Sequence, residues 1–490
     1  MNGIVVVIVA LLVVLVVGFG ARRLSTAHAA SPPLPDSLAE QRIAAYLQAV
    51  NSGKTEELRE LLATHFDPKA LRAIPIETRI GNLKRLAAEA GRLELVSLTP
   101  VKKREIVAVV KRVGSDARFS LTFFFAPGKE RRLVGARIQR IEDDSAAPSP
   151  ELAGGPLSVA GARQAIEADL ARLVEQDRFS GAVLAAHKGA TLFAHAYGFA
   201  DRERKLSNTL DTKFNLGSIN KDFTKLAIAQ LAEGGKLSLS ERLVHYLPDY
   251  PNPEVARRVT IEQLASHTSG LGDIFTERFS ALRHELTSLP AYLELFADEP
   301  LAFAPGTKSR YSNAGYVVLG LVIERVSGVD YYSYVRQHIY APAGMKDTDS
   351  SSLAEAVPNR AIGYTGGEEN GSGKAGRPND DLLPARGSSA GGGYSTVGDL
   401  ARFAQALSEN RLASPEWTYW VGGGPVPVPG TAAAAPPPIS FGIAGGSPGE
   451  NALLELGRDR SLVVVLSNYD PPSAEQVGKR IRTIIGRIQG

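Results

Sequence analysis

The sequence predicts an α+β fold in two domains, and three observations lead to this prediction. In the first third of the chain, helical patterns are followed by strand-like runs. A stretch containing Pro, Ser and Gly comes next, which is typical of a linker. The last part has strand-like runs and helices near both of its ends, which suggests one sheet closed by both ends of the domain. The expected parts are a leader at 1–30, a small α+β domain at 35–145, a linker at 146–156 and a large α+β domain at 157–490.

The composition excludes several kinds of chemistry. The 490-residue chain contains no cysteine, which rules out disulfides, thiolate nucleophiles, iron–sulfur clusters and cysteine zinc sites. Hydrophobic residues make up 44% of the chain and charged residues 22%, as in a globular protein. The formal net charge of +3 is small for this length and gives little support for a nucleic-acid partner. Covalent chemistry would therefore have to use a hydroxyl, amine, carboxylate or imidazole group.

The first thirty residues are typical of an export segment. Residues 4–19 are almost all apolar, and an Ala-x-Ala triplet at 27–29 offers a cleavage site. The apolar run is also near the minimum length that spans a bilayer, so a cleaved signal and a retained membrane anchor both remain open. An Arg pair at 22–23 follows the run, which would argue for the reverse orientation if it stayed inside. Either alternative predicts a periplasmic or extracellular protein, or one anchored in the membrane and facing outward.

The domain expected at 35–145 combines helices with a sheet. Helices are expected at 37–50, 55–66 and 76–90, and strands at 93–98, 106–110, 119–125 and 133–138. This order resembles the NTF2-like or SnoaL-like cone fold. The segment 102–140 holds 11 basic and 3 acidic residues. It is either a solvated sheet face or a patch for an anionic membrane or wall polymer, and we favour the solvated face.

The domain expected at 157–490 begins and ends with helices and strands of one sheet. At its start, a helix is expected at 160–176, followed by strands at 180–187 and 191–196. At its end, a strand is expected at 462–467 and a helix at 474–488. The segment 424–438 has runs of Ala and Pro and is expected to be a loop.

The strongest local signal is Ser218-Ile-Asn-Lys221, the one Ser-x-x-Lys sequence in the chain. The residues after it are helix-forming, so Ser218 is expected in the first turn of a helix with Lys221 on the same face. A serine hydroxyl needs a base to become a nucleophile, and a lysine acts as a base only when its surroundings lower its pKa. Many such pairs are a helix cap followed by a surface lysine, so the pair alone is a weak signal.

A second group of polar residues, Tyr311-Ser-Asn313, comes after a Pro-Gly turn. Tyr311 is a candidate to relay a proton between Lys221 and the leaving group. Asn313 is a candidate to hydrogen-bond Lys221 and the substrate. A similar Tyr-Pro-Asn sequence at 250–252 lies in a proline turn and has no catalytic neighbour in the sequence.

With these segments, residues 157–490 resemble the serine beta-lactamase and penicillin-binding-protein superfamily, on its class C and esterase side. Further segments carry the resemblance in the same order, at 180–183, 196–201, 264–271, 390–396 with Asp399, and 463–468. The resemblance implies an antiparallel sheet with flanking helices next to an all-helical subdomain. It also implies that Ser218 is acylated, that Lys221 acts as the base and that Tyr311 assists deacylation. No cofactor is expected.

The third element of the family departs from its usual pattern. It normally reads Lys or His, then a small residue, then Gly, and the corresponding stretch here is Ile443-Ala-Gly445-Gly446. Ile443 thus replaces the cation that engages a substrate carboxylate. This replacement disfavours penicillins and acyl-D-Ala-D-Ala substrates and favours a neutral ester or amide. The glycines remain, so the N–H of Gly446 is expected to pair with that of Ser218 as an oxyanion hole.

Other candidate sites are weaker. His267 lies in a turn that is structural in family members, which argues against a Ser–His triad. The sequence at 387–391 matches the Gly-x-Ser-x-Gly elbow of α/β-hydrolases, but the residues after it are not helical. The eight His residues are scattered and no His-Glu-x-x-His occurs, so no metal site is expected. The basic segment shows no nucleic-acid fold signature, so no nucleic-acid partner is expected.

The expected function is that of an exported serine hydrolase that forms an acyl-enzyme on Ser218 with an ester or amide. One alternative is a D-Ala-D-Ala carboxypeptidase or D-amino-acid amidase that acts on wall peptides. Another is a catalytically weak ligand-binding protein of the same fold. The expected partner is a small-molecule or peptide substrate, and the sequence leaves the oligomeric state open.

Overall fold

The computed structural model describes residues 37–73, 76–102, 104–114, 118–141, 152, 154–366, 376–427 and 436–489. The leader predicted at 1–30 lies outside these residues, as does most of the linker predicted at 146–156. Contacts between Cα atoms divide the chain into two units, Met1–Ser149 and Pro150–Gly490. Among the described residues, no helix is both long enough and apolar enough to cross a membrane.

In the N-terminal unit, helices precede an antiparallel sheet. The helices are α1 (Leu38–Ser52), α2 (Thr55–His65), α3 (Pro68–Ala73) and α4 (Ile76–Ala90). The strands are β1 (Leu93–Lys102), β2 (Glu105–Arg112), β3 (Arg118–Phe125) and β4 (Leu133–Ile141), paired in that order. The sequence predicts all of these elements except α3, which continues the chain from α2. The resemblance to the NTF2-like cone fold stays a prediction.

Alternation along the strands explains how this unit packs. On β3, Phe119, Leu121, Phe123 and Phe125 are buried, and the residues between them are more exposed. These four side chains pack with buried residues of α1, α2 and α4 in one core. One face of the sheet is therefore covered by the helices, as the α+β pattern predicts.

A five-stranded antiparallel sheet forms the centre of the C-terminal unit. The strands are β5 (Gly181–His187), β6 (Ala190–Tyr197), β13 (Phe441–Ser447), β14 (Glu450–Leu456) and β15 (Leu462–Ser467). Their order in the sheet is β13-β14-β15-β5-β6. Because β15 pairs with β5, the two ends of the unit meet in one sheet, as the sequence predicts.

Helices and short strands complete this unit. The helices are α5 (Val159–Glu175), α6 (Asn220–Glu233), α7 (Leu243–Tyr246), α8 (Pro253–Arg258), α9 (Ile261–Ala265), α10 (Glu277–Leu282), α11 (Leu289–Leu293), α12 (Asn313–Ser327), α13 (Tyr331–Val335), α14 (Ala341–Ala343), α15 (Val397–Ser408), α16 (Pro415–Val421) and α17 (Ser473–Ile485). The short strands are β7 (Phe199–Asp201), β8 (Leu206–Ser207), β9 (Phe214–Asn215), β10 (Tyr364–Thr365), β11 (Arg377–Pro378) and β12 (Tyr394–Ser395). Turns of 3-10 type cover Gly217–Ile219 and Arg283–Glu285, and a π-helical turn covers Arg336–Tyr340. The loop predicted at 424–438 lies partly outside the described residues, and its described residues form no helix or strand.

The two faces of the central sheet have separate cores. Val463 and Val465 of β15 pack with α5 and α17, the first and last helices of the unit. Val464 and Leu466 face the opposite way and join the larger core that contains α6, α12 and α15. This alternation buries β15 on both faces, which explains its continuous run of aliphatic residues.

A buried ion pair joins the first and last helices. Asp169 of α5 is 2% exposed, and both of its oxygens lie 2.6 Å from guanidinium nitrogens of Arg480 on α17. Arg172, one turn along α5, also lies 2.6 Å from this carboxylate. The two helices are therefore joined by charge as well as by apolar packing.

Candidate active site

Ser218 lies in the 3-10 turn between β9 and α6. The sequence predicts it inside the first turn of a helix, and this detail is wrong, because α6 begins two residues later at Asn220. Gly217 has a φ of 48°, and its N–H donates to Asn215 Oδ1 at 2.8 Å. A Cβ at position 217 would lie 2.5 Å from the nitrogen of Gly446. The turn therefore needs glycine both for its backbone conformation and for its contact with β13.

Strand β13 lies directly against this turn. A Cβ at Gly445 would lie 1.9 Å from the carbonyl oxygen of Leu216 and 2.8 Å from the nitrogen of Ser218. A side chain at this position would push the strand away from the serine. The glycines thus bring the backbone nitrogens of Ser218 and Gly446 to the same small region. These are the two donors that the sequence predicts as an oxyanion hole.

Ile443 lies on the side of β13 that faces the turn. Side chains two residues apart on a strand share a face, so Ile443 points to the same side as the missing Cβ of Gly445. It pairs with Leu454 of β14 and is partly buried against the larger core. An aliphatic side chain therefore lies at the position where the family usually has a cation.

Lys221, in the first turn of α6, is 3% exposed. Its Nζ lies 3.1 Å from Ser218 Oγ and 2.7 Å from Asn313 Oδ1, and it donates to the carbonyl oxygen of Ala390. Burial lowers the pKa of Lys221 to about 7, against the opposing effect of two carboxylates, Asp273 and Asp222. Part of the lysine population is therefore neutral at physiological pH and can act as a base.

Tyr311 also contacts the serine. Its hydroxyl donates to Ser218 Oγ at 2.6 Å, and its ring lies 4.7 Å from Lys221 Nζ. Burial raises the pKa of Tyr311 above its ordinary value. The residue is therefore a phenol rather than a phenolate near neutral pH, and it is equipped to donate a proton.

His267 supports Tyr311 and does not contact the serine in any described hydrogen bond. Its ring stacks on that of Tyr311 with 4.6 Å between centroids, and its Nδ1 accepts from the N–H of Ser312 at 3.2 Å. Burial lowers the pKa of His267 to about 3, so the imidazole is neutral. This placement agrees with the structural role expected from the sequence.

The Gly-x-Ser-x-Gly sequence at 387–391 forms a tight turn that contacts Lys221. Ser389 is fully buried, and its Oγ donates to the carbonyl oxygen of Tyr316 at 2.8 Å. The next residue, Ala390, supplies the carbonyl that accepts from Lys221. The serine is thus structural, while the backbone of the segment belongs to the site. Sequence reasoning missed this role because a backbone carbonyl has no residue-type signature.

Asp273 is a second residue that sequence reasoning missed. It lies two residues after the 264–271 segment, and its Oδ1 accepts from Asn313 Nδ2 at 2.9 Å. Burial raises its pKa, and three donors oppose that effect, namely the Asn313 amide and the N–H groups of Ile274 and Phe275. In the sequence, a single Asp after Gly-Leu-Gly indicates only a turn and does not predict that the residue lies near the serine.

The structure thus brings together all six residues that the sequence predicts for the site, namely Ser218, Lys221, Tyr311, Asn313, Gly445 and Gly446. A nucleophile, a buried amine, a phenol and two backbone N–H groups are the components of acyl transfer. Within the described part of the chain, no group of three or more His, Asp or Glu residues could hold a metal ion.

Comparisons with known proteins show the family to which the chain belongs. The profile of the beta-lactamase family matches residues 162–485. Penicillin-binding protein 4* of Bacillus subtilis (strain 168) is 34% identical over 198 residues, which cover 39% of this chain and 43% of that protein. Esterase EstB of Burkholderia gladioli is 31% identical over 293 residues, which cover 53% of this chain and 74% of that protein. The chain spans about half the length of the first curated relatives that it matches.

A solved structure gives the same result for the fold. The crystal structure of a penicillin-binding protein from Bacillus halodurans superposes with a TM-score of 0.54 and 28% sequence identity. The superposition covers 65% of this chain and 99% of that one. The shared fold therefore covers nearly the whole of that penicillin-binding protein.

Proposed function

The chain belongs to the beta-lactamase family, and on this premise we propose that it is a serine hydrolase that forms an acyl-enzyme on Ser218. One observation carries the proposal. Ser218 Oγ lies within hydrogen-bonding distance of both a buried amine and a phenol, Lys221 at 3.1 Å and Tyr311 at 2.6 Å. A serine with this pair of partners has a base for its proton and a donor for the leaving group.

The other contacts of Lys221 support its role as the base. Asn313 Oδ1 and the carbonyl oxygen of Ala390 can only accept hydrogen bonds. In the neutral amine they take its two N–H groups, which directs the remaining lone pair at Ser218 Oγ. The lysine is therefore oriented for proton transfer before a substrate binds.

Acylation then proceeds in two steps. Ser218 Oγ attacks the acyl carbon while its proton passes to Lys221 Nζ, and the oxyanion that forms accepts from the N–H groups of Ser218 and Gly446. The bond from carbon to the leaving oxygen breaks next. The leaving oxygen takes a proton from the Tyr311 hydroxyl, and the proton held on Lys221 replaces it.

Deacylation reverses these proton transfers. Water attacks the acyl carbon and gives its proton to Lys221, with Tyr311 assisting. The bond to Ser218 Oγ breaks, and the serine oxygen takes the proton held on Lys221, which restores the starting state. The net reaction consumes one ester and one water and releases one acid and one alcohol.

The proposed substrate is an ester or amide with no carboxylate near the scissile bond. Ile443 places aliphatic surface where a carboxylate-binding cation would stand, and burying an unpaired carboxylate there is costly. The similarity to esterase EstB supports an ester rather than an amide. A peptidase or amidase acting on wall peptides is the second candidate, and the similarity to penicillin-binding proteins favours it. Rates on p-nitrophenyl esters and on D-amino-acid amides would separate these two candidates.

Active-site labelling tests the proposal directly. A fluorophosphonate probe should label the wild-type protein with one equivalent, and digestion should map the adduct to Ser218. Ser218→Ala should abolish the labelling. Ser240→Ala, at an exposed serine of the same unit, should label like the wild type. Full labelling of Ser218→Ala would contradict the proposal. An unlabelled wild type that still binds a ligand would favour a catalytically weak binding protein.

We also propose that the protein acts outside the cytoplasm, because residues 4–19 are apolar and a small-residue triplet comes after them. Fractionation of cells that express the full chain tests this. Labelled protein in the extracytoplasmic or membrane fraction is expected. The mass of the mature chain would then distinguish a cleaved signal from a retained anchor.

A further inference from the structure

We propose that Asp273 is a positioning residue of this site, which holds the Asn313 amide in the orientation that presents its oxygen to Lys221. The inference rests on the proposed function, because it assigns Asp273 a role in preparing the base. The relevant contacts form a chain of four residues. Asp273 Oδ1 lies 2.9 Å from Asn313 Nδ2, Asn313 Oδ1 lies 2.7 Å from Lys221 Nζ, and Lys221 Nζ lies 3.1 Å from Ser218 Oγ.

The argument starts from the symmetry of an amide. The oxygen and nitrogen of an asparagine side chain are almost equal in shape, so their partners decide which way the group points. In the observed orientation, the NH2 group donates to a carboxylate and the oxygen accepts from an amine. The flipped amide would place its oxygen against the carboxylate and its NH2 against the N–H groups of Lys221. Both contacts would then be repulsive.

Asp273 is itself held in place by the backbone around it. The N–H of Ile274 donates to Asp273 Oδ1 at 2.7 Å. The preceding residue, Gly272, accepts from Ser312 Oγ at 2.7 Å, and this serine caps the N-terminus of α12. Because α12 begins with Asn313, the loop that carries the carboxylate is fixed to the start of the helix that carries the amide. The distance between the two groups is therefore determined by local structure.

The charge of Asp273 also acts on Lys221. A nearby anion favours the protonated amine, so Asp273 opposes the effect of burial on the pKa of Lys221. Within the described part of the chain, the ionisable groups that interact with these two residues are Asp222 of α6, Tyr311, Tyr316 and His267. Asp273 thus has two separable effects. It orients the base through Asn313, and it keeps the lysine pKa higher than burial alone would.

Two substitutions separate these effects. Asp273→Asn keeps an oxygen that can accept from Asn313 but removes the charge, so Lys221 should lose its proton at lower pH. The acid limb of kcat/KM for p-nitrophenyl butyrate should move down by about half a pH unit to one unit. Asp273→Ala also removes the acceptor that orients the amide. Its plateau kcat/KM should fall by about ten- to a hundredfold.

Asp249→Asn is the matched control, because it makes the same chemical change at a side chain that is 93% exposed. Its pH profile should superimpose on that of the wild type. An acid limb that does not move in Asp273→Asn would overturn the effect of the charge on Lys221. Wild-type kcat/KM in a folded Asp273→Ala protein would overturn the positioning role. Asp273→Ser, whose side chain is shorter than that of Asp by one bond, gives the same test if Asp273→Ala fails to fold. Failure of the proposed function is a different result, since the wild type itself would then not be labelled on Ser218.

Discussion

The hydroxyl of Tyr311 lies 2.6 Å from Ser218 Oγ, although the two residues are 93 positions apart in the chain. The serine is in the turn before α6 and the tyrosine is just before α12, so the contact forms only when these two helices pack. The tyrosine ring packs against the His267 ring and the Lys221 amine. The position of the phenol oxygen is therefore set by tertiary packing around the ring.

Removing this hydroxyl should slow catalysis without unfolding the protein. Tyr311→Phe keeps the ring that stacks on His267 but removes the proton donor. We expect kcat/KM for p-nitrophenyl butyrate to fall by about a hundredfold or more, the usual contribution of general acid–base catalysis. Thermal unfolding followed by circular dichroism should change little. Tyr419→Phe, a hydroxyl deletion away from the serine, is the control, and an equal loss of activity in both variants would contradict the role of Tyr311.

The activity should rise with pH through about 7. Burial lowers the pKa of Lys221 to about 7, and only the neutral amine has a lone pair for the serine proton. Below this pH, kcat/KM should fall about tenfold for each pH unit, and above it kcat/KM should reach a plateau. Stopped-flow acylation across pH 5 to 9 (on the order of ten points) would measure the limb. Lys221→Arg keeps a positive charge that is not lost between pH 5 and 9, so this variant should be inactive at every pH. If it instead shows the wild-type rise of kcat/KM with pH, the rise belongs to another group.

A cation at position 443 should change the substrate preference. Ile443→Lys places an amine on the face of β13 that is directed at the serine turn. We expect the ratio of acylation rates, fluorescent penicillin over p-nitrophenyl butyrate, to rise by about tenfold, because a charge-assisted hydrogen bond contributes about 1.5–3 kcal/mol. Ile443→Met controls for side-chain length and should leave the ratio unchanged. A ratio that does not respond to lysine would show that this position does not contact the substrate carboxylate.

Breaking the ion pair between the terminal helices should destabilise the fold. Asp169→Ala removes a carboxylate that is 2% exposed and lies 2.6 Å from Arg480. The free energy of unfolding in urea should fall by about 3–5 kcal/mol, as for other buried pairs that lose one partner. Glu254→Ala breaks the exposed pair with Arg258 on α8 and should cost less than about 1 kcal/mol. If the free energy of unfolding falls equally in both variants, burial of the pair between Asp169 and Arg480 does not affect its contribution to stability.

The sequence predicted those parts of the site that are close in the chain. The spacing of Ser218 and Lys221 indicated one face of a helix, and the lysine does contact the serine across one turn. The 3-10 turn was not predicted, and one restriction on it is not local, because a Cβ at Gly217 would lie 2.5 Å from the nitrogen of Gly446 on β13, more than two hundred residues away. Tyr311 and Asn313 were candidates because of their residue types after a Pro-Gly turn, but no local pattern shows that their segment meets the distant Ser218.

The remaining parts had no signal of their own. Ala390 acts through its carbonyl oxygen, which every residue possesses, so its identity carries no information about the role. Asp273 acts through the amide of Asn313, and its own neighbours in the sequence indicate only a turn. Only the three-dimensional contacts of Lys221 reveal these two positions. Ala390 accepts a hydrogen bond from Lys221 directly, and Asp273 is linked to it through Asn313.

Because β13 lies beside the serine, the site can be complete only after this strand has been synthesised. Ser218 is synthesised more than two hundred residues before Gly446 on β13, and β15, which joins that part of the sheet to β5, follows later still. A nascent chain that has already exposed Ser218 therefore lacks one of the two proposed oxyanion donors. It should stay inert toward acylating agents until synthesis has passed β15. Reactivity toward such an agent should therefore appear only after β13, β14 and β15 have joined β5 in the sheet.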